Sequence, residues 1–222
     1  MVFPRSVTAI PAERLSKSGI RIGKYNAGPM LAHRETEPTL LATADLRRTG
    51  IACLWLALPA LPVDLTPELV QVYFDEIQAD PLVRQAWADR KTDRWRERYE
   101  KFAKTIVRVG EVAPSDRSWE VPIGGVLEVV PEVDPTAIVS GAPFPVRVLK
   151  NGRPLKGLML AAQANGKHEW QRTDASGRAT FRLTGSGPWL IHGTELRASK
   201  SADADWHSWF TTLTIQRQTP GS

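Results

Sequence analysis

The fold is decided by the stretch that runs Val146-Arg-Val-Leu-Lys-Asn-Gly-Arg-Pro-Leu155 and continues through Arg172-Thr-Asp-Ala-Ser-Gly-Arg-Ala-Thr-Phe181 to Ala204-Asp-Trp-His-Ser-Trp-Phe-Thr-Thr-Leu-Thr-Ile215. Short runs of alternating apolar residues are separated by turns that contain Gly, Asn or Asp, a pattern typical of antiparallel strands. Seven strands are predicted, at about Val126–Val130, Phe144–Lys150, Leu158–Gln163, His168–Thr173, Arg178–Leu183, Trp189–Arg197 and Trp206–Gln216. This series predicts an immunoglobulin-like or prealbumin-like antiparallel β-sandwich over residues 120–218.

The residues before the sandwich predict a β-rich N-terminal part over 1–115, with helices inserted at about 66–104, so that the whole chain is mainly β (α+β). The apolar run Gly50–Ala60 follows two arginines, as an export signal would, but such signals belong at the N-terminus. We therefore interpret it as a buried strand. The polar, Gly- and Pro-bearing link 110–125 is the predicted domain boundary.

Two helices are predicted within the N-terminal part. The first begins at Thr66, whose side chain can cap it, with Pro67 at the first helical position, and runs to about Gln78. The second begins at Asp80-Pro81 and runs to about Lys104. Its apolar face is predicted from steps of four, three and four residues, at Trp95, Tyr99, Phe102 and Ile106.

Charge and composition exclude several classes of protein. The 222 residues carry a net charge of +5, and the segment Arg84–Arg108 alone holds nine basic and four acidic residues. We interpret this segment as the solvated face of a helix and expect no nucleic-acid partner, since no binding motif accompanies the charge. Cys53, the one cysteine, excludes an intrachain disulfide. No catalytic constellation is recognisable, so we expect no enzyme; no signal peptide and no transmembrane segment are recognisable either.

Three residues are candidate metal ligands. Asp205 and His207 alternate with Asp203 on a predicted extended segment and can project from one face, and imidazole with carboxylate suits a transition metal. His192 lies beside Trp189 and Ile191 and is the third candidate. The alternative is structural: solvated aspartates that lead into a packed strand, and a histidine at the core edge. The aromatic residues Trp189, Trp206 and Trp209 either pack in the sandwich or form an exposed strip for a sugar or a partner protein.

The ordered set of segments resembles a known family. They are Arg96–Lys104 leading into Val107–Gly110, Leu127–Pro135, Gly141–Gly157, Thr173-Asp174 with Gly177, Gly187–Ile191 and Ala204–Trp209. The chain is similar, from about Leu65 to Ile215, to a family of domains of unknown function whose members are described as periplasmic components of nickel or cobalt uptake systems. The family's His-Asp-Phe-Trp-like N-terminal segment is not found in this sequence.

The resemblance implies a non-enzymatic periplasmic, hence extracytoplasmic, binding protein that is accessory to nickel or cobalt uptake. Its ligand would be Ni²⁺ or Co²⁺, and its partner would be a membrane metal transporter or another protein. The residues of this sequence that we expect to hold the metal are the three candidates His207, Asp205 and His192. The alternative function is a metal-independent β-sandwich module that binds a protein or a glycan. Neither alternative requires catalysis.

Overall fold

A computed structural model describes residues 14–15, 17–28, 32–36, 39–90, 92–164, 167–184 and 188–216. Strands take 53% of the residues and helices 12%, which confirms the predicted mainly β class. The elements are β1 (Lys17–Ile22), β2 (Tyr25–Gly28), β3 (Ala32–Thr36), β4 (Thr39–Thr43), β5 (Gly50–Leu65), α1 (Pro67–Glu76), α2 (Pro81–Ala88), β6 (Trp95–Val109), β7 (Leu127–Pro131), β8 (Pro143–Lys150), β9 (Arg153–Pro154), β10 (Met159–Ala164), β11 (Lys167–Arg172), β12 (Arg178–Arg182), β13 (Pro188–Ala198) and β14 (Trp206–Gln216).

The largest sheet contains eight strands in the order β11-β10-β13-β14-β6-β5-β1-β2. β14 and β6 are parallel, from Trp206 opposite Glu97 to Ile215 opposite Ile106. The other neighbouring strands in this sheet are antiparallel. The C-terminal strands thus continue directly into strands that precede the link 110–125. The division of the chain into parts 1–115 and 120–218 stays a prediction.

A smaller sheet covers one face of the large sheet and completes the β-sandwich. It has the order β12-β8-β7, with β9 beside β8. Apolar side chains from both sheets meet between them: Val129, Phe144, Val148 and Phe181 from the small sheet, and Ile51, Ile106, Leu160, Ile191 and Leu213 from the large one. The predicted sandwich is therefore confirmed, with the addition that its larger sheet includes β1, β2, β5 and β6.

The helices pack on the opposite face of the large sheet. α1 begins as predicted, with the Thr66 hydroxyl accepting a hydrogen bond from the Leu69 N–H and Pro67 in the first turn. α2 begins at Pro81, with Asp80 as its N-cap. Phe74 and Trp87 from the helices are buried against Trp95 and Trp206 from the sheet. Each face of the central strands is thus covered by a different layer.

The second predicted helix is wrong beyond Ala88, where α2 ends, because Trp95–Val109 forms β6. This strand is buried on both faces. Trp95 faces the helices, whereas Phe102 and Ile106 face the small sheet. The spacing of four, three and four residues therefore combines side chains from two faces of a strand. The basic segment Arg84–Arg108 is correspondingly not one helix.

The apolar run Gly50–Ala60 belongs to β5, which confirms its interpretation as a strand. Cys53 lies in this strand and is buried, as a small apolar side chain would be. Among the described helices, none has the length and apolar character required to cross a membrane.

Candidate functional site

Asp205 is held by two arginines. Arg96 donates hydrogen bonds of 2.9 and 3.1 Å to its two carboxylate oxygens, and the Arg90 guanidinium lies 2.7 Å from one of them. The bond from Arg96, with Arg90 adding to it, outweighs the effect of burial and lowers the pKa of Asp205 to about 2. Asp205 thus ties the turn before β14 to β6 and to the residues that follow α2.

His207 lies on the face of β14 that is turned toward the small sheet, where it belongs to a polar cluster with Glu100 and Trp209. Its Nε2 is 2.9 Å from the Glu100 Oε1, and the Trp209 indole N–H donates a 2.7 Å hydrogen bond to the same oxygen. The His207 ring stacks on Trp209, with centroids 4.0 Å apart. The Lys150 Nζ lies 2.9 Å from the Trp209 centroid, so both faces of that ring are in contact.

His192 lies on the opposite face of the sheet. In the pairing of β13 with β14, Arg197 is opposite His207 and His192 is opposite Thr212, and the odd–even alternation directs His192 toward the face that the helices partly cover. The residue is 8% exposed, and within the described part of the chain its Nε2 has no hydrogen-bond partner. Burial lowers the pKa of this imidazole to about 4, so it is neutral at physiological pH.

The structure therefore does not bring the three candidate metal ligands together. His207 pairs with Glu100, Asp205 pairs with two arginines, and His192 is on the other face. Within the described residues, no three His, Cys, Asp or Glu side chains are arranged to hold a metal ion.

The tryptophans also do not form one exposed strip. Trp206 is buried under the helices, stacked on Trp95 with ring centroids 4.6 Å apart. Trp189 is buried in the sandwich core, and Trp209 lies on the sandwich-facing side of β14. Aromatic side chains nevertheless line a groove. They include Trp55 and Phe102, and of the three predicted tryptophans only Trp209.

This aromatic groove lies between the β5-β6-β14 surface and the segment 123–127, with a volume of about 340 Å³. Its walls include Trp55 from β5, Phe102 and Glu100 from β6 and the edge of Trp209 from β14, with Lys17 at one side. A volume of this size is in the range of small-ligand sites. The groove thus combines several aromatic side chains with the carboxylate of Glu100.

Two glycines allow the rings of the groove to pack closely. Trp55 and Phe102 stack, with centroids 6.0 Å apart and planes 30° from parallel. A Cβ on Gly19 would lie 2.7 Å from the Trp55 indole nitrogen, and a Cβ on Gly125 would lie 2.6 Å from the Phe102 ring. Since real Cβ contacts are not that short, each ring occupies space that only a glycine leaves open. The two rings are thereby held in one layer.

A buried ion pair lies behind this groove. The Lys104 ammonium is 2.6 Å from the Glu128 carboxylate, and both side chains are 1% exposed. Glu128 also accepts hydrogen bonds from the backbone N–H groups of the segment Ile123–Gly125. Burial acts to raise the pKa of Glu128, but Lys104 and these N–H groups outweigh it and leave that pKa below its ordinary value. The pair joins the large sheet to the small sheet and fixes the segment that forms one wall of the groove.

A second buried carboxyl group, Glu97, lies under α1. It accepts hydrogen bonds from the Tyr73 hydroxyl at 3.3 Å, from the Trp95 indole N–H at 2.8 Å and from the Ser208 hydroxyl. Burial raises the pKa of Glu97 to about 7, and these donors lower it only in part. Because Tyr73 belongs to α1, this carboxyl group links the helix to the sheet.

Trp55, Glu100 and Phe102 line the groove, but no motif in the sequence marks them as site residues. The β-branched alternation of Thr105–Val109 favours a strand, and a strand that continues back toward Trp95 would have revealed Glu100 and Phe102. Once β6 is extended, Glu100, Phe102 and Lys104 fall on one face by alternation.

A family model for a domain of unknown function, DUF4198, matches residues 36–194, which is more than half of the chain. The chain belongs to the DUF4198 family. This confirms the resemblance to a family of domains of unknown function. No curated protein matches this sequence. The matched range covers β5, β6, the helices and most of the sandwich, so the DUF4198 domain spans both sides of the link 110–125.

Proposed function

We propose that this DUF4198 protein is a non-enzymatic, extracytoplasmic binding protein and that it takes a glycan into the aromatic groove without a metal. The observation that carries the proposal is the layer formed by Trp55 and Phe102, held between Gly19 and Gly125 and bordered by Glu100. The extracytoplasmic location is inferred from the family resemblance. The proposal needs no catalytic group.

The groove combines the two kinds of contact that a sugar ring requires. The flat, apolar C–H face of a sugar packs on an aromatic ring, and Trp55 is partly exposed at the groove. Sugar hydroxyls need polar partners at the ring edge. Glu100 supplies an acceptor, since its described bonds to His207 and Trp209 both use Oε1 and not Oε2. Lys17, at the side of the groove, supplies a donor.

The rigidity of the groove favours binding as well. The Lys104–Glu128 pair and the backbone bonds of Ile123–Gly125 fix one wall, and β5, β6 and β14 form the other. A site that is already formed loses less conformational entropy when the ligand binds. The sandwich thus provides a rigid site that does not depend on a flexible loop.

A glycan array followed by calorimetry tests the proposal. The purified chain is applied to an array of printed glycans, and the best glycan is titrated into the wild type, Trp55→Ala and Trp170→Ala. We expect Trp55→Ala to weaken binding by about tenfold or more. Trp170→Ala is the matched control, because Trp170 is exposed on β11, outside the groove. Absence of any glycan binding, or equal losses of affinity in both variants, would contradict the proposal. If the groove instead bound a protein, and that binding required Trp55, the ligand class proposed here would be wrong.

The second candidate function is the accessory role in nickel or cobalt uptake, with a membrane transporter as partner. The observation in its favour is the His207–Glu100 pair, which places an imidazole nitrogen and a carboxylate oxygen 2.9 Å apart beside the groove. Bound Ni²⁺ or Co²⁺ would replace the hydrogen bond between them and would need further ligands from water or from the partner.

Calorimetric titration with nickel and cobalt salts tests this second candidate. We expect heat of binding in the wild type that is lost in His207→Ala and retained in His168→Ala, which removes an exposed imidazole from β11. His192→Ala is measured beside them, because His192 is the other predicted imidazole ligand. If the wild type gives no heat above that of the buffer, or if His207→Ala binds as well as the wild type, the metal role of this pair is wrong.

A further inference from the structure

A second cavity lies on the helix-covered side of the large sheet, away from the aromatic groove. It has a volume of about 330 Å³ and is bounded by β10, β11, β13 and the end of α1. The apolar part of its lining is Ile77, Met159 and Trp170, and the polar part is Glu76, Gln163, His168, His192 and Thr194. Trp170 meets the His192 ring edge to face, at a centroid distance of 6.4 Å. We call this cavity the His192 pocket.

Two buried polar atoms on the wall of the His192 pocket have no hydrogen-bond partner among the residues that the structure describes. They are Nε2 of His192 and Oγ1 of Thr194, whose residues are 8% and 7% exposed. His192 and Thr194 are two positions apart on β13, so both side chains point to the same face. A buried polar atom without a partner costs free energy in the empty protein, and such atoms are rare in native structures. Two of them on one cavity wall indicate a ligand that completes their hydrogen bonds.

The charge of the lining points to the kind of ligand. Four other cavities in the described part of the chain each include at least one lysine or arginine in their lining. The His192 pocket includes neither, although the chain carries a net charge of +5. Its one carboxylate is that of Glu76, which is partly exposed at the end of α1. The imidazole lone pair, the hydroxyl oxygen, the Gln163 carbonyl and this carboxylate can all accept hydrogen bonds.

We propose that the His192 pocket binds a small organic cation, namely a primary ammonium group on an apolar skeleton. The ammonium donates hydrogen bonds to His192 Nε2 and Thr194 Oγ1, and Glu76 neutralises its charge. Because Nε2 of His192 accepts a hydrogen bond in this arrangement, the imidazole carries its proton on Nδ1. The apolar skeleton packs on Met159, Ile77 and Trp170, whose indole also favours a neighbouring cation. The site is on the opposite face from the groove, so it is independent of the function proposed above.

Three probes of similar shape and different charge test the class of ligand. Benzylamine, protonated at pH 7, is titrated into the full chain and compared with benzyl alcohol and with benzoate by ligand-observed NMR and calorimetry. We expect benzylammonium to bind most tightly, benzyl alcohol more weakly and benzoate not at all. Binding of benzoate as tight as that of benzylammonium, or binding of none of the three, would overturn the proposal.

Two variants test the assigned roles. Glu76→Gln is expected to weaken the binding of benzylammonium about fivefold and to leave the binding of benzyl alcohol unchanged. Glu68→Gln is its matched control, since Glu68 is an exposed carboxylate on α1 that is not in the pocket lining, and it should change neither. Thr194→Val keeps the shape of the side chain and removes the hydroxyl that has no partner among the described residues. It should therefore raise the midpoint of thermal unfolding and weaken the binding of benzylammonium. Equal effects of the two glutamate variants, or a Thr194→Val protein that binds benzylammonium like the wild type, would refute the assignment.

Discussion

Glu97 and Glu128 are buried to the same extent, on opposite sides of the large sheet, and differ in charge. Each is 1% exposed. Glu128, between the two sheets, has a lysine and several backbone N–H groups as partners, and its pKa is below the ordinary value. Glu97, under the helices, accepts hydrogen bonds from Tyr73, Trp95 and Ser208 in the described residues, and burial raises its pKa to about 7.

The difference shows that partners, and not burial alone, determine the charge of an interior carboxyl group. An ammonium group and N–H dipoles stabilise the ionised form of Glu128 directly. The hydroxyl and indole donors around Glu97 are neutral, and even together with the charge of the nearby Lys101 they compensate only part of the cost of removing a carboxylate from water. The sandwich side therefore holds an ion pair, whereas the helix side holds a group that titrates near neutral pH.

The largest expected effect comes from removing the cation of Glu128. Lys104→Met leaves a buried carboxylate with backbone partners alone, and we expect it to lower the free energy of unfolding by about 3–5 kcal/mol. Urea unfolding followed by tryptophan fluorescence measures this. Lys104→Met combined with Glu128→Gln should recover part of the loss, because the amide can still accept from the backbone without a charge. A single variant as stable as the wild type would show that the pair is not important for stability.

The next effect concerns the pH dependence caused by Glu97. Its folded pKa of about 7 lies above the ordinary 4.5, so the protonated form is favoured in the folded state. The stability that this group contributes is fully present below pH 4.5 and is lost as the pH rises through about 7. The total loss in the free energy of unfolding is about 3 kcal/mol. Glu97→Gln should therefore gain stability relative to the wild type over this range. Unfolding free energies measured from pH 4.5 to 8 give the difference curve.

The wild-type curve alone does not isolate Glu97, because His192 titrates with the opposite sign. Its folded pKa of about 4 lies below the ordinary 6.5, so stability is gained as the pH rises from about 4 to 6.5. For this reason the difference between Glu97→Gln and the wild type is the informative quantity. A flat difference between pH 4.5 and 7 would show that Glu97 is ionised throughout.

A smaller effect is expected from Gly125→Ala, which acts on the Glu128 side alone. The new Cβ would lie 2.6 Å from Phe102, and the Gly125 N–H donates to Glu128. We expect a loss of about 1–3 kcal/mol from this overpacking. Phe102→Leu in the same chain should restore part of the loss, because it removes the ring that collides. Additive losses in the double variant would indicate that the ring is not the cause.

The sandwich strands could be predicted because their side chains follow simple alternation. β8, for example, alternates at Phe144, Val146 and Val148, and a two-residue Asn-Gly turn follows it. β6 could not be predicted in this way. Its buried residues change from the helix-facing to the sandwich-facing side between Glu97 and Phe102, and two of them, Glu97 and Lys104, are ionisable. A charged residue in a sequence is taken as exposed unless its partner is known.

The candidate site was less predictable than the fold. Neighbours in sequence do not reveal the partners of Asp205 and His207, because Arg96 and Glu100 precede them by more than a hundred residues. These contacts follow from the parallel pairing of β14 with β6, which leaves no local pattern in either strand. His192 is buried at the edge of the core, as the structural alternative predicts, but its cavity also depends on the end of α1, which no local pattern shows.

The position of β14 has a consequence for biosynthesis. The ribosome completes β5 and β6 early, but the neighbour that β6 needs on its other side is Trp206–Gln216. Until that segment leaves the exit tunnel, a row of backbone amides and carbonyls along β6 has no strand to bond with, beside side chains meant for the interior. Nascent chains of this protein should therefore require chaperones during translation, and a stall before Trp206 should produce aggregates.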